Sequence, residues 1–598
     1  MWNLFVYVCL VFVPIVVFNL LFNKYFINIK NRIFCSTGVL GIILFCLFLT
    51  TFVLTNFTDF ETLLLETLIS FVGATIYFGI KKVTSLADLV CRTLCYIAVA
   101  IVIYSILTFG QTVIDSDVAT ANLLAQAQLK YHSLFPESWC YANGDLWVIS
   151  TNIFTMPFYI MLDDQSLARM CGSALLVLLT LGAMVLQSKK FLKNDSWIVS
   201  IPLFTLFSFG AYSWNLYQAA YTSQMLWMVL IGWWVYEALE NKNKKYYIAY
   251  FVIIIPIIMG GIRSVAELIV PILGAILIYR FFVCGERNIN KSKIGKLILD
   301  IILISIPVAI GYGSYIYVSK EHMMNNTTNN ETIFVSSLND CWNSLELVFQ
   351  NLLENFGFKG GVQLVSGEGI RNLLSIGITL IIVFICPYLQ YRCISKENKR
   401  IQFFFWFGIV HNLEMLILVV FVGKTSARYL LTVIYVCIII SSVFLINHIK
   451  EMYWRGLFAI IMTICVITYG GVMLQNSVGW NKKVSQNKEV SEVLVQHGLH
   501  KGYASYWNAY NTEIYSDMQL EMVSFGAEVP AYPVNGEFRW LVDNNRFNDD
   551  KTKTFLMLTE EENELLENQI STTFGNPSEI FTINNKYVYV WDYDIVTY

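Results

Sequence analysis

Charge is scarce in this sequence. Only 14% of its 598 residues are Asp, Glu, Lys or Arg, against 56% hydrophobic and 15% aromatic residues. A soluble domain carries about 25% charged residues, so that class is excluded. Histidine is scarcer still, at 6 residues, and the 13 cysteines are scattered without a CxxC pair, none of them after Cys465. Neither a tightly held transition metal nor a disulfide framework is expected from that pattern. Only Cys140 and Cys341 lie in long loops, beside Trp139 and Trp342. They read either as a bridged pair or as two unrelated buried thiols.

What is abundant is long apolar runs. A hydrocarbon core about 30 Å thick is crossed by roughly 20 apolar residues in a helix. Such runs fall near 3–22, 35–56, 62–80, 90–110, 166–187, 197–213, 223–239, 246–261, 264–283, 297–318, 371–391, 401–422, 427–447 and 455–475. The chain therefore reads as an α-helical polytopic membrane protein of about fourteen transmembrane helices. Basic residues gather in alternate loops, among them Lys24/Lys30/Arg32, Lys189/Lys190/Lys193, Lys242/Lys244/Lys245 and Arg392/Lys396/Lys399/Arg400. The positive-inside rule makes that side cytoplasmic. The amino terminus, the loops 111–165 and 319–370 and the carboxyl-terminal segment are then extracytoplasmic. The first span has no small-residue cleavage site after it and reads as a retained helix.

Composition changes near Trp480. The tail alternates short apolar and polar stretches: KTFLMLT (553–559) and KYVYVWDYDI (586–595) read as strands, EEENELLENQ (560–569) as a short helix. The expected plan is three extra amino-terminal helices over 1–89, a transmembrane body over 90–475, and an extracytoplasmic α/β domain over 476–598.

The stretch IDSD places Asp115 and Asp117 just past the outer end of a span, before VATANLLAQAQLKYHSLF. The apolar spacing of that segment suits a helix lying along the membrane surface. The two acids serve either as its cap or as catalytic groups. The loop continues through Glu137, Trp139, Tyr141 and Asp145, a mixture of acids and aromatics suited to a sugar. Arg263 and Arg428, with Lys424, sit at outer ends of spans, where positive charge is otherwise rare. They either snorkel to the interface or clamp an anionic group such as a phosphate. Trp214, Tyr217 and Gln218 could stack on and hydrogen-bond a sugar, or anchor the interface. Glu267, four residues after Arg263, is a candidate ion-pair partner on one helix face. His411, Asn412 and Glu414 lie mid-span and must face protein rather than lipid.

An acid just after a helix, an amphipathic surface helix, about eleven spans after the first three, the pair Arg428-Tyr429 at an outer helix end and an extracytoplasmic α/β tail together form a recognisable arrangement. It resembles the integral-membrane glycosyltransferases of the GT-C superfamily, especially the bacterial aminoarabinose-transferase and protein-mannosyltransferase type. The resemblance implies transfer of a sugar from a polyprenyl-phosphate-linked donor to a glycan, lipid or protein acceptor by single displacement. It implies Asp115 as base with Asp117 second, and Arg263, Lys424, Arg428 and Tyr429 on the donor phosphate. Glu137, Trp139, Asp145, Trp214, Tyr217 and Gln218 would face acceptor or sugar, and Glu137 with Asp145 are the candidates should a divalent cation bind. The bilayer is the other expected partner; nucleic acid is not. A polysaccharide polymerase or ligase, and a transporter of lipid-linked sugars, are the alternatives. The early position of the acidic loop and the clustering of charge at the rim favour the transferase over both.

Overall fold

A computed structural model describes residues 86–598 apart from 143, 206–208, 284–290, 323–334, 336, 364, 423–425, 450–451, 526–537, 549–551 and 596–598. The expected spans 3–22, 35–56 and 62–80, and Lys424, lie outside the described residues.

Among the described residues, 8 helices are long and apolar enough to cross a membrane: Val90–Thr112, Gln165–Leu192, Ile262–Phe281, Ile294–His322, Gly367–Lys396, Lys399–Phe421, Ala427–His448 and Arg455–Ser477. The protein is a multi-pass membrane protein. The runs expected at 197–213, 223–239 and 246–261 are also helical, as Trp197–Thr205, Ala220–Leu239 and Lys244–Ile258. Two of these are short: at about 1.5 Å per residue, neither reaches across a 30 Å core. The third, Ala220–Leu239, is diluted by Gln224, Glu237 and three tryptophans.

The chain divides into two compact units. One draws on residues up to Tyr104, on 194–206 and on 442–475. Its described part is tied by Arg92, which meets Asp195 at 3.3 Å and lies over the Trp197 ring. The other comprises Ser105–Lys193, Phe207–Ser441 and Asn476–Tyr598, and all that follows concerns it.

In this second unit the tail builds a mixed sheet. In chain order its strands are β2 (Lys501–Ala504), β3 (Glu521–Ser524), β5 (Thr554–Thr559), β6 (Glu579–Ile583) and β7 (Lys586–Trp591), arranged β3-β2-β5-β7-β6. The β3-β2-β5 part is parallel and β5-β7-β6 antiparallel, with Thr554 opposite Trp591. The central strand β5 reads TFLMLT and is buried along nearly its whole length, as a strand covered on both faces should be. The helix Glu560–Phe574 that follows it starts on a capping box between Thr559 and Glu562. Gly502 lets β2 approach the Phe555 ring, which a Cβ there would strike. The strands and the helix fall where the alternation in KTFLMLT, EEENELLENQ and KYVYVWDYDI puts them.

The loop 111–165 is joined to the tail. Its short strand β1 (Trp139–Cys140) pairs antiparallel with β4 (Val542–Asp543), Trp139 opposite Asp543. Helix Ser116–Lys130 packs on helices Thr151–Met161 and Tyr506–Tyr515. This corrects the expected surface helix. Val118, Leu123, Leu124, Ala125, Asn122 and Thr120 are all buried, so apolar and polar faces alike are covered by protein. A helix with an apolar stripe can bury it against lipid or against a second layer, and here the tail supplies the layer.

Candidate functional site

Asp115 caps the helix Ser116–Lys130: its backbone is extended and its Oδ1 accepts the Val118 N–H at 2.8 Å. The capping alternative is therefore realised, and it uses one carboxylate oxygen. Asp117, in the first turn, accepts the Tyr506 hydroxyl at 2.7 Å on its Oδ1. Burial pushes the Asp115 carboxyl up to about 6; the cap bond opposes that and the charge of Asp117 adds to it. Asp117 is raised as well, chiefly by burial, with the Tyr506 bond and the positive charge of Arg428 acting in the opposite direction. Two acids on one turn, poised nearer neutrality than a solvated carboxyl, have the property a proton acceptor needs.

The basic half of the site begins at a short turn, Ala427–Leu430, that leads into helix Leu431–His448. Arg428 lies over the Tyr429 ring, 5.3 Å from its centroid, with Nη2 3.5 Å from the hydroxyl. Its Nε is buried and has no hydrogen-bond partner among the described residues. Arg263 faces the same ring at 6.0 Å and the Tyr221 ring at 5.4 Å. Tyr429 thus has both guanidinium groups against it, and Arg428 is in turn the cation that acts on Asp117. Arg428 and Arg263 both face Tyr429, and Asp117 lies within the field of Arg428.

Arg263 is also engaged with acids. Its Nε donates to Glu267 Oε1 at 2.6 Å, so the i,i+4 ion pair forms. Asp145 belongs to the same group: Gly261, at φ +113, brings its backbone so close that a Cβ would stand 3.2 Å from Asp145 Oδ1. Only glycine accepts that dihedral readily, and only glycine leaves room for the Gly144–Asp145 backbone to come so close to the start of the Arg263 helix. Burial raises the Asp145 carboxyl to about 7, against the pull of Arg263 and with the push of Glu267. His411 is fully buried, its Nδ1 3.1 Å from the Glu267 carbonyl.

No family model matches the chain, and no curated protein sequence matches it. Among solved structures, it is similar to the crystal structure of ArnT from Cupriavidus metallidurans bound to undecaprenyl phosphate. The identity is 10%, the match covers 83% of this chain and 97% of that chain, and the TM-score is 0.48. At that level the chemistry has to be argued from this chain's own side chains.

The other expected residues are placed less favourably. Trp139 is 1% exposed inside the β1–β4 contact, where it cannot stack on a sugar without leaving the core. Tyr217 is likewise buried, its hydroxyl 3.0 Å from Ser105 Oγ and its ring edge-on to Phe109. The Gln218 carbonyl accepts from Arg169 Nη2, and the residue is half-buried. Trp214 is half-buried and Glu137 is exposed on the loop. Cys140 and Cys341 are both free thiols, which rules out a bridge between them. Among the described residues no group of three or more His, Cys, Asp or Glu side chains is gathered to hold a metal ion.

Two further residues join the site. Arg169, fully buried, donates Nε to the Val118 carbonyl at 2.6 Å, Nη1 to Ser173 Oγ at 2.7 Å and Nη2 to the Gln218 carbonyl at 2.8 Å. Its charge acts on Asp115. An arginine near the end of a span in QSLARM is a readable signal, of the same kind as Arg263 and Arg428. Tyr506 was not readable, since it lies 389 residues from Asp117.

Proposed function

We propose that this protein is a membrane glycosyltransferase that moves a sugar from a polyprenyl-phosphate-linked donor to a hydroxyl of a cell-envelope glycan, lipid or protein. The acceptor O–H attacks the anomeric carbon, a new C–O bond forms, and the bond from that carbon to the phosphate oxygen breaks. The electron pair leaves on the phosphate, and the acceptor proton passes to a carboxylate. Asp117 is the nearer candidate for that carboxylate and Asp115 the alternative, because Asp117 shares its surroundings with Arg428, whereas Asp115 is turned to its cap bond and to Arg169. Arg428 and Arg263, with Tyr429 between them and Lys424 nearby in sequence, receive the phosphate. Asp145 and Glu137 are left for the acceptor side. In this reading the loops 111–165 and 319–370, both termini and the 476–598 domain are extracytoplasmic, where the lipid-linked donor is presented.

The observation that carries the reading is Arg428: a guanidinium whose buried Nε has no partner among the described residues, over an aromatic ring and acting on a raised carboxyl, at the outer end of a span. A buried cation keeps a free donor where an anion is to be received. The test is made in cells deleted for the gene and complemented with variants at matched protein abundance. Wild type restores the envelope glycan profile read by mass spectrometry and Asp117→Asn does not. Full restoration by both Asp117→Asn and Asp115→Asn would overturn the assignment.

A further inference from the structure

The tail touches the candidate base directly. Tyr506 opens the helix Tyr506–Tyr515, and its hydroxyl donates to Asp117 Oδ1 at 2.7 Å. The contact is held from both segments of the chain. Ser116 Oγ donates to the Tyr506 carbonyl and receives the Tyr510 N–H at 3.3 Å. The Tyr515 hydroxyl donates to the Gln111 carbonyl at 2.6 Å, just before the acids. The Tyr506 ring stands edge-on to Tyr510 at 5.6 Å and to Phe538 at 5.3 Å and is 3% exposed.

That packing needs only the ring. The hydroxyl does something else: it occupies Oδ1 of Asp117, while no hydrogen bond to Oδ2 is formed among the described residues. We propose that Tyr506 is a positioning residue for the transfer reaction, fixing Asp117 through Oδ1 so that Oδ2 is free for the acceptor O–H, and that the tail is thereby a working part of the site. The proposal rests on Asp117 being the base.

A donor on a carboxylate favours the charged form, so the bond also keeps Asp117 able to accept a proton. The charged and titratable neighbours divide clearly. Arg428 acts with Tyr506 in favour of the carboxylate and Asp115 lies two residues away on the same turn. Of the elements packed on this helix, Gln165–Leu186 brings Arg169 to Asp115, and Tyr506–Tyr515 brings Glu513, which is held by Arg546. Thr151–Met161 brings Tyr159, and β4 brings Asp543, paired to Lys130 at the far end. Removing the Tyr506 hydroxyl leaves burial less opposed and raises the Asp117 carboxyl.

The experiment uses the full chain in membrane vesicles from expressing cells, with their own donor lipids, and reads free polyprenyl phosphate released against external pH. Tyr506→Phe is expected to slow release about 10-fold at neutral pH and to move the acid limb of the profile up by about one unit. The thermal midpoint stays close to wild type. Should Tyr506→Phe fold poorly, 3-fluorotyrosine at position 506 keeps the shape and makes a stronger donor, and the acid limb is expected to move down. Asp117→Asn in the same vesicles separates the two ideas. If it is inactive while both Tyr506 variants keep the wild-type profile, the positioning role is overturned and the base survives. If Asp117→Asn remains active, the base assignment falls and this proposal with it.

Discussion

Two acids meet at the helix Tyr506–Tyr515, Glu513 within it and Asp117 against its first residue, and they are satisfied very differently. Glu513 takes both Nη atoms of Arg546, at 2.5 and 2.8 Å, and the Met522 N–H at 3.0 Å. Asp117, across from it, has a tyrosine hydroxyl on one oxygen and Arg428 only as a neighbouring charge. Arg546 also reaches Gln126 Oε1 at 3.1 Å, so that ion pair fastens the tail to the capped helix. A fully paired buried charge is a structural fixture; one left with spare acceptor capacity beside a cation with a spare donor is suited to meet a substrate. Proximity alone therefore does not identify the site, and completeness of pairing does.

The widest separation between the two regions should come from removing each charge. Asp117→Asn is expected to lower transfer by on the order of 10³-fold with little change in folding, since general-base catalysis is worth about 10²–10⁴. Glu513→Gln is expected to do the reverse: breaking a buried pair costs about 3–5 kcal/mol. Its signature is a lower unfolding midpoint and lower abundance, with the rate per folded molecule close to wild type. Parallel activity and melting curves on the two variants check both, and a Glu513→Gln that is stable but inactive would erase the distinction.

Asp115 sharpens the contrast through pH. Its carboxyl is raised in the folded state, from 3.8 to about 6, by burial. The folded state then binds more protons than the unfolded one between those values, so stability falls as pH rises through that window. Asparagine caps as well as aspartate and carries no charge. Asp115→Asn should be more stable than wild type above pH 6 by at most roughly 3 kcal/mol, with the gain vanishing below pH 4. Denaturant titrations at both ends of the window measure it. Arg428→Lys comes next: it keeps the charge and loses the planar fork, and is expected to reduce transfer about 10²-fold without altering the fold.

Much of the architecture could be read along the chain because it depends on local pattern. Apolar runs of about 20 residues mark spans whatever surrounds them, and β5, β7 and the helix between β5 and β6 follow from alternation and from Thr559 set three residues before Glu562. The acids and the arginines at span ends were visible because charge is rare at a membrane rim. What could not be read is pairing at long range. The β1–β4 contact that buries Trp139, and the bond from Tyr506 to Asp117, join segments roughly 400 residues apart in sequence, and nothing in either segment encodes its partner. The surface-helix expectation failed for the same reason. The pattern of Val118 and Leu124 announces something to cover it without saying whether lipid or protein does so.

The smallest effect isolates what a cap contributes by itself. Thr559 caps the tail helix as Asp115 caps the loop helix: its side chain accepts the Glu562 N–H at 3.2 Å, and Glu562 returns a bond to the Thr559 N–H at 2.6 Å. Thr559 carries no charge, so Thr559→Ala removes a cap and nothing else. A loss of about 1 kcal/mol is expected, with transfer and its pH profile unchanged. Asp115→Ala removes a cap of the same kind together with a buried charge, and the two terms have opposite signs above pH 6. Its net effect on stability should therefore be smaller than the loss in Thr559→Ala, or a gain, at pH 7, and should approach that loss at pH 4, where the carboxyl is protonated in the folded state. Equal losses at both pH values would mean that Asp115 is an ordinary solvated cap. The acidic turn would then lose its distinction from the rest of the fold.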